Sequence, residues 1–169
     1  MNNRRLVRGA LLIALALALA LQSLRLVLPL PQPAGTFAIG SLVHMMLALT
    51  LKLCGMGTAS LLGFLLPLTA YVQGQVLLVF LIPVIWLGNL LFVLLVQCFT
   101  GQRRLVLVVP PVAKAVVMLG AAWCVVSFVA VPAPAVRKAI LFAMSVPQLV
   151  TAVLGILLAR QVLLRIRSF

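Results

Sequence analysis

Long hydrophobic runs, each closed by a short polar, glycine-containing or proline-rich stretch, dominate the pattern along this chain. The runs are apolar on all sides, without the apolar–polar alternation of a transmembrane barrel strand. A helix of about 20 apolar residues crosses the hydrocarbon core of a bilayer. The pattern therefore predicts an all-α polytopic membrane protein with six transmembrane segments. These segments cover residues 8–28, 37–53, 59–72, 76–99, 105–131 and 136–164.

Helix-breaking residues mark the boundaries between the segments. Three prolines, Pro29, Pro31 and Pro33, end segment 1 and predict a stiff extended loop. The later boundaries carry the stretches "CGMGT", "QGQ", "TGQRR" and "PAP". Segments 2 and 3 have the least sharply marked ends.

Composition supports a membrane location. Of the 169 residues, 66% are hydrophobic and 8% are charged, and the chain has no Asp and no Glu. Soluble proteins carry about a quarter of their residues as charged side chains. One globular core could not hide this much apolar surface, so lipid must cover the remainder. We expect a single integral membrane domain over residues 1–169.

The net charge is +13, and the positions of the basic residues along the chain carry information about membrane topology. Basic residues flank the hydrophobic runs and form no stripe with aromatic residues, so a nucleic-acid partner is not expected. With six segments, nine of the thirteen fall on one side: Arg4, Arg5, Arg8, Lys52, Arg103, Arg104, Arg160, Arg165 and Arg167. The positive-inside rule then predicts that both termini are cytoplasmic, in a prokaryotic plasma membrane.

The first segment raises the question of a cleaved signal peptide. Its apolar stretch extends to Leu28, beyond the ~7–15 residues of a signal h-region. Cleavage near Ala20 would also remove one helix and disturb the charge alternation. An uncleaved helix is therefore the favoured interpretation. Ala10, Ala14 and Ala18 form a small-residue stripe on it, which predicts either a docking face for a partner subunit or simple Ala/Leu-rich hydrophobicity.

The chain lacks the residues of common catalytic and metal sites. It has one His and no carboxylate side chain, and no Walker lysine motif. The three cysteines show no CxxC spacing, so neither a zinc site nor a disulfide framework is expected. We therefore predict neither an enzyme nor a bound cofactor.

A sparse set of polar side chains within or beside the apolar segments forms the candidate site. Its members are His44, Gln75, Asn89, Lys114, Gln148 and Thr151. Such residues are costly in lipid and are expected to face the bundle interior. Asn89 and Gln148 each follow a proline, Pro83 and Pro147, and a proline frees backbone groups that can line a cavity. For His44, a hydrogen-bonded interior role is the favoured interpretation.

Lys114 has no acidic side chain with which to pair anywhere in the sequence. It must use carbonyls, Asn or Gln, water or an anionic ligand, or else extend toward the cytoplasmic end of segment 5. A structural role and a substrate contact stay equally open at this point. Because no countercharge is present for a cation, we expect any substrate to be neutral or anionic.

The chain resembles the substrate-binding S component of energy-coupling factor (ECF) transporters. Four stretches carry this resemblance: "GTFAIGSLVHMMLAL", "LLGFLLPLTAYVQGQ", "IPVIWLGNLLFVLL" and "PQLVTAVLGILLA". The resemblance implies a subunit that binds a vitamin or similar micronutrient outside the cell. It also implies a transmembrane coupling protein and two cytoplasmic ATPase subunits as partners. The alanine stripe of segment 1 would contact the coupling protein, and Asn89, Gln148 and the region of Gln75 would lie in or near the pocket.

Other classes are compatible with a small apolar bundle. A non-transporting scaffold of the cell envelope, similar to MreD, is the main alternative and would need no polar pocket. A channel or holin would lack the charged ring expected for selectivity. An intramembrane enzyme is disfavoured by the missing acids.

Overall fold

The computed structural model describes residues 34–74, 76, 78–129 and 133–167. Within these ranges the chain forms six helices. They are α1 (Ala34–Cys54), α2 (Met56–Val72), α3 (Leu81–Cys98), α4 (Leu105–Phe128), α5 (Pro134–Ala143) and α6 (Val146–Arg167). The predicted segment 1, with Ala10, Ala14 and Ala18, lies outside the described residues.

The helices have the length and composition of membrane spans. Four stretches are long and apolar enough to cross a bilayer: α1, α3, α4 and the combined stretch Pro134–Arg165. The 17-residue α2 is apolar but shorter. The prediction of an all-α fold with apolar spans is therefore confirmed for the described residues, with four to five potential spans. The number six and the orientation of the termini stay predictions.

A single glycine joins α1 to α2. Gly55 has φ 95°, a backbone conformation that L side chains rarely adopt and that glycine reaches without a steric penalty. Its N–H lies within hydrogen-bond distance of the carbonyls of Thr50 and Leu51 at the end of α1. A Cβ added to Gly63 would lie 3.8 Å from Leu47 Cδ2, so positions eight residues before and after Gly55 pack together. The two helices thus form a tight antiparallel hairpin.

Most predicted segment ends differ from the helix ends by about three residues or fewer, and two differences are larger. Segment 4 was expected to begin at residue 76, but α3 begins at Leu81 after a turn. Segment 6 was expected to be one continuous helix, and it is instead split into α5 and α6 around Met144 and Ser145. The split has a physical cause, because Pro147 has no N–H to donate to the carbonyl of Ala143 and so cannot continue the helical ladder.

Close helix packing is centred on α1 and α6, which share the most extensive contact in the fold. A Cβ added to Gly155 on α6 would lie against His44 Cβ and 2.8 Å from the backbone nitrogen of Met45 on α1. The glycine therefore allows the two backbones to approach directly, as small residues do in membrane helix pairs.

Two apolar clusters fill the bundle. One includes Leu47, Leu62 and Phe92, and the other includes Met118 and Ala122. A buried polar cluster lies between them, and it belongs to the candidate site described below. At one end of the bundle Lys52, Thr100, Arg103 and Arg160 come together around a small cavity; this is called the basic end.

Candidate functional site

A cavity of about 210 Å³ lies in the half of the bundle away from the basic end. All six helices contribute to its wall, which is mostly apolar. Its polar side chains include five of the six candidate residues: His44, Asn89, Lys114, Gln148 and Thr151. The sixth, Gln75, lies outside the described residues. The sequence candidates from four separate helices are therefore brought together around one space.

Lys114 on α4 lies at the centre of the site. Its side chain is 1% exposed, and Nζ donates hydrogen bonds to Asn89 Oδ1 at 2.7 Å and to His44 Nε2 at 2.6 Å. Nζ also lies 5.7 Å from the ring centroid of Phe92, within the range of a cation–π contact. The side chain thus crosses the bundle interior and does not extend toward the basic end, which was one of the options left open by the sequence.

The hydrogen bonds of His44 define which ring nitrogen carries a proton. Nδ1 lies 2.7 Å from the carbonyl oxygen of Gly40, and a carbonyl can only accept, so Nδ1 is the N–H donor. Nε2 of the neutral ring is then the acceptor for Lys114. The ring also makes an edge contact with Phe92, with centroids 5.1 Å apart. His44 is a hydrogen-bonded interior residue, as predicted.

Asn89 is fixed in orientation by a carbonyl on the facing helix. Its Nδ2 donates to Gly63 O at 3.1 Å, which leaves Oδ1 to accept from Lys114. Gly63 lies four residues before Pro67. Because proline has no N–H, the carbonyl of Gly63 loses the donor that it would have in a regular helix. Asn89 therefore replaces the missing N–H of Pro67.

This arrangement corrects the reason for placing Asn89 in a pocket. The sequence argument relied on Pro83, but Pro83 lies in the first turn of α3. A proline there disturbs no helical hydrogen bond, because the first N–H groups of a helix have no intrahelical partner. The relevant proline is Pro67 on α2, and the sequence analysis missed it. The signal was present: a buried-helix proline frees the carbonyl four residues earlier, and that carbonyl needs a donor.

Gln148 and Thr151 line the cavity from α6 and bond to their own part of the chain. Gln148 Nε2 donates to Ala143 O at 3.3 Å, the carbonyl left without a helical donor by Pro147. Thr151 Oγ1 donates to Pro147 O at 2.8 Å. Both side chains therefore stabilise the break between α5 and α6, and the second amide hydrogen and the oxygen of Gln148 are available for further hydrogen bonds.

Lys114 makes two side-chain hydrogen bonds and borders the open volume of the cavity. An ammonium has three N–H donors, and two of those on Lys114 meet His44 and Asn89. No Asp or Glu exists in the chain to balance its charge, and a buried charge is costly unless paired. The cavity volume of about 210 Å³ exceeds the roughly 150 Å³ that holds benzene in an engineered protein cavity. A small organic molecule is within this size range.

In the described part of the chain, fold and site together define a bundle of helices apolar enough for a membrane, with a cavity lined by Lys114, His44 and Asn89 between them. No family model, curated protein or solved structure matches the chain. The resemblance to ECF S components therefore remains a prediction carried by the quoted stretches of sequence.

Proposed function

We propose that this chain is the substrate-binding membrane subunit of an ECF-type importer, and that its cavity captures a small anionic micronutrient. The observation that carries the proposal is the buried Lys114 ammonium, hydrogen-bonded to two neutral side chains beside an open volume. The transport role and the partners, a transmembrane coupling protein and two ATPase subunits, rest on the sequence resemblance.

The charge of Lys114 favours a ligand over a purely structural role. A lysine in the middle of a membrane helix costs about 2.5–3.5 kcal/mol on insertion scales. A glutamine could donate hydrogen bonds without this cost, so hydrogen bonding alone does not explain a cation here. A carboxylate or phosphate bound to Lys114 would add a charge-assisted hydrogen bond, which contributes about 1.5–3 kcal/mol.

The proposed transport cycle uses the position of the cavity. By the positive-inside rule the basic end is cytoplasmic, so the cavity lies in the outer half of the membrane. The anion binds from outside, and the subunit then tilts against the coupling protein to open the site inward. ATP hydrolysis on the partner subunits drives this step, since the chain has no nucleotide-binding motif.

Native mass spectrometry of the protein, purified in mild detergent from its own cells, tests the proposal. We expect the wild type to carry a small acid, or to co-purify with coupling and ATPase subunits. The variant Lys114→Gln keeps a hydrogen-bond donor and loses the charge. It should bind the acid at least tenfold more weakly, about 1.4 kcal/mol or more. Lys138→Gln, on the exposed surface of α5, is the matched control and should bind normally.

Two results would contradict the proposal. If Lys114→Gln holds the same compound as the wild type with equal affinity, the ligand is neutral and the charge argument is wrong. If the wild type is empty and carries only cell-envelope proteins, the chain belongs to the scaffold class. The variant Ala14→Trp addresses the coupling protein separately, because it should lose that partner and still bind the acid.

A further inference from the structure

A second cavity, of about 120 Å³, lies at the basic end and is separate from the site described above. It is bordered by α1, α3, α4 and α6 and by the turn between α3 and α4. Its inner wall is apolar and is formed by Ala48, Val96, Val106, Ile156, Ala159 and Leu163. We call it the basal slot. None of its lining residues is shared with the Lys114 cavity.

Three basic side chains surround the mouth of the basal slot. Lys52 comes from the last turn of α1, Arg103 from the α3–α4 turn and Arg160 from α6. Lys52 and Arg103 are exposed and Arg160 is half-buried, so the rim reaches the protein surface. Three separate elements therefore direct positive charge to one opening.

A threonine hydroxyl holds part of this rim in place. Lys52 Nζ donates to Thr100 Oγ1 at 2.5 Å, and Thr100 Oγ1 donates to the carbonyl of Val96 at 2.9 Å. The bond links α1 to the end of α3 and positions an ammonium beside the slot.

The rim attracts anions, and the slot attracts apolar chains. The chain has no Asp and no Glu, so no acidic side chain lines the rim. Basic pockets between membrane helices on the cytoplasmic side bind the headgroups of anionic lipids. A soluble phosphate would satisfy the rim alone and would leave the apolar slot beneath it unused. A phospholipid would satisfy both.

We propose that the basal slot binds an anionic phospholipid, with its phosphate against Lys52, Arg103 and Arg160 and an acyl chain against the apolar wall. The lipid joins α1, α3, α4 and α6 at the basic end of the bundle. The inference uses charge complementarity and the apolar lining, and it does not depend on the transport function proposed above.

Native mass spectrometry of the full chain in detergent, titrated with phosphatidylglycerol or phosphatidylcholine, tests the inference. The wild type should bind phosphatidylglycerol more tightly than phosphatidylcholine. The triple variant Lys52→Gln, Arg103→Gln and Arg160→Gln should bind phosphatidylglycerol roughly a hundredfold more weakly, since each basic residue near an anionic headgroup contributes about a fivefold gain.

Two further variants separate a local effect from general loss of charge or fold. Arg137→Gln combined with Lys138→Gln removes two charges from α5, away from the basal slot, and should bind phosphatidylglycerol as the wild type does. Arg103→Lys combined with Arg160→Lys keeps the charge of the rim and should retain most of the binding. A correctly folded Arg→Lys variant therefore gives a result even if the triple variant misfolds.

Three outcomes would overturn the inference. Equal binding of phosphatidylglycerol and phosphatidylcholine by the wild type would show that the rim does not select an anion. Equal losses in the triple variant and in the α5 control would show that the effect is not local. Inorganic phosphate that stabilises the wild type as much as phosphatidylglycerol does would show a free-phosphate site and exclude the lipid.

Discussion

At the scale of single residues, the polar cluster shows a repeated pairing of a proline with a side-chain amide. Pro67 frees the carbonyl of Gly63, and Asn89 supplies the donor. Pro147 frees the carbonyl of Ala143, and Gln148 supplies the donor. In lipid every backbone polar group must be satisfied within the protein. The two amides are therefore both structural partners of a helix break and lining residues of the cavity.

Replacing Asn89 should destabilise the protein, and the size of the loss should depend on whether residue 67 is proline. Asn89→Leu leaves Gly63 O and one Lys114 N–H without a partner, at a cost of about 1–3 kcal/mol for each buried group. Pro67→Ala restores a backbone N–H for Gly63 O. In the Pro67→Ala background the cost of Asn89→Leu should fall by about 1 kcal/mol, measured by thermal unfolding in detergent as a double-mutant cycle.

The control for this cycle is Pro83→Ala. Pro83 lies in the first turn of α3, where it frees no carbonyl, so its replacement should leave the cost of Asn89→Leu unchanged. The prediction is wrong if the interaction energy between Asn89 and Pro67 is near zero, or if Asn89 shows the same interaction energy with Pro83. Either result would show that the Asn89 amide does not replace the N–H that Pro67 lacks.

The type of partner for Lys114 could be predicted from the sequence, and its identity could not. A chain without acids leaves only neutral acceptors, water or a ligand, and the sequence analysis named amides and carbonyls among them. That His44 and Asn89 are the two partners depends on how α1, α3 and α4 are rotated about their axes. These rotations follow from side-chain packing, which hydrophobic runs with no polar face do not encode.

At the scale of helices, the contact between α1 and α6 controls the geometry of the site. Gly155 lets α6 approach the backbone of α1 beside His44, and Gly40 on α1 leaves room for the side chain of Thr151 on α6. A Cβ on Gly40 would lie 2.7 Å from Thr151 Cγ2. The cavity wall formed by these two helices therefore depends on positions without side chains.

Gly155→Ala should lower stability by about 1–3 kcal/mol, because the added methyl group meets the backbone of Met45 and His44, which cannot move as a flexible side chain would. Gly120→Ala on α4 is the matched control, since a Cβ there meets nothing within 4 Å. That change should be neutral or slightly stabilising. Thermal unfolding of both variants in the same detergent makes the comparison, and equal effects would contradict the close approach of α1 and α6.

Helix ends were predictable where a glycine or polar run marks them and not elsewhere. "CGMGT" predicted the α1–α2 turn, and Gly55 makes that turn. The α5–α6 break lies inside an apolar run in which Pro147 is the main signal. Hydropathy reports how apolar a stretch is and does not detect the backbone hydrogen bond that Pro147 removes. The run was therefore predicted as one helix. The same limit explains why segment 4 was predicted to begin before Leu81.

At the scale of the whole molecule, charge is divided between two ends. Lys52, Arg103 and Arg160 gather at the basic end, and the Lys114 cavity lies in the other half of the bundle. The positive-inside rule predicts that the basic end is cytoplasmic. This predicted orientation would give the proposed binding site its access from outside the cell.

Cysteine labelling tests this orientation. In a background with Cys54, Cys98 and Cys124 replaced by alanine, we expect Ala135→Cys to react with a membrane-impermeant maleimide in intact spheroplasts. Gln102→Cys should react only after the membrane is permeabilised. Both positions are exposed in the structure, so each serves as the control for the other. The reverse pattern would place the cavity on the cytoplasmic side and exclude capture from outside.

The order of the site residues along the chain has a consequence for how the protein is made. A membrane chain is inserted from its N-terminal side during synthesis, so α1 with His44 and α3 with Asn89 precede α4. When Lys114 arrives, both of its hydrogen-bond partners are already in the bilayer. The lysine can then leave the insertion machinery into a prepared polar environment, and α6, made after it, encloses the cavity. A ribosome-bound chain that has not yet produced α6 would hold Lys114 with its two partners but without a closed site.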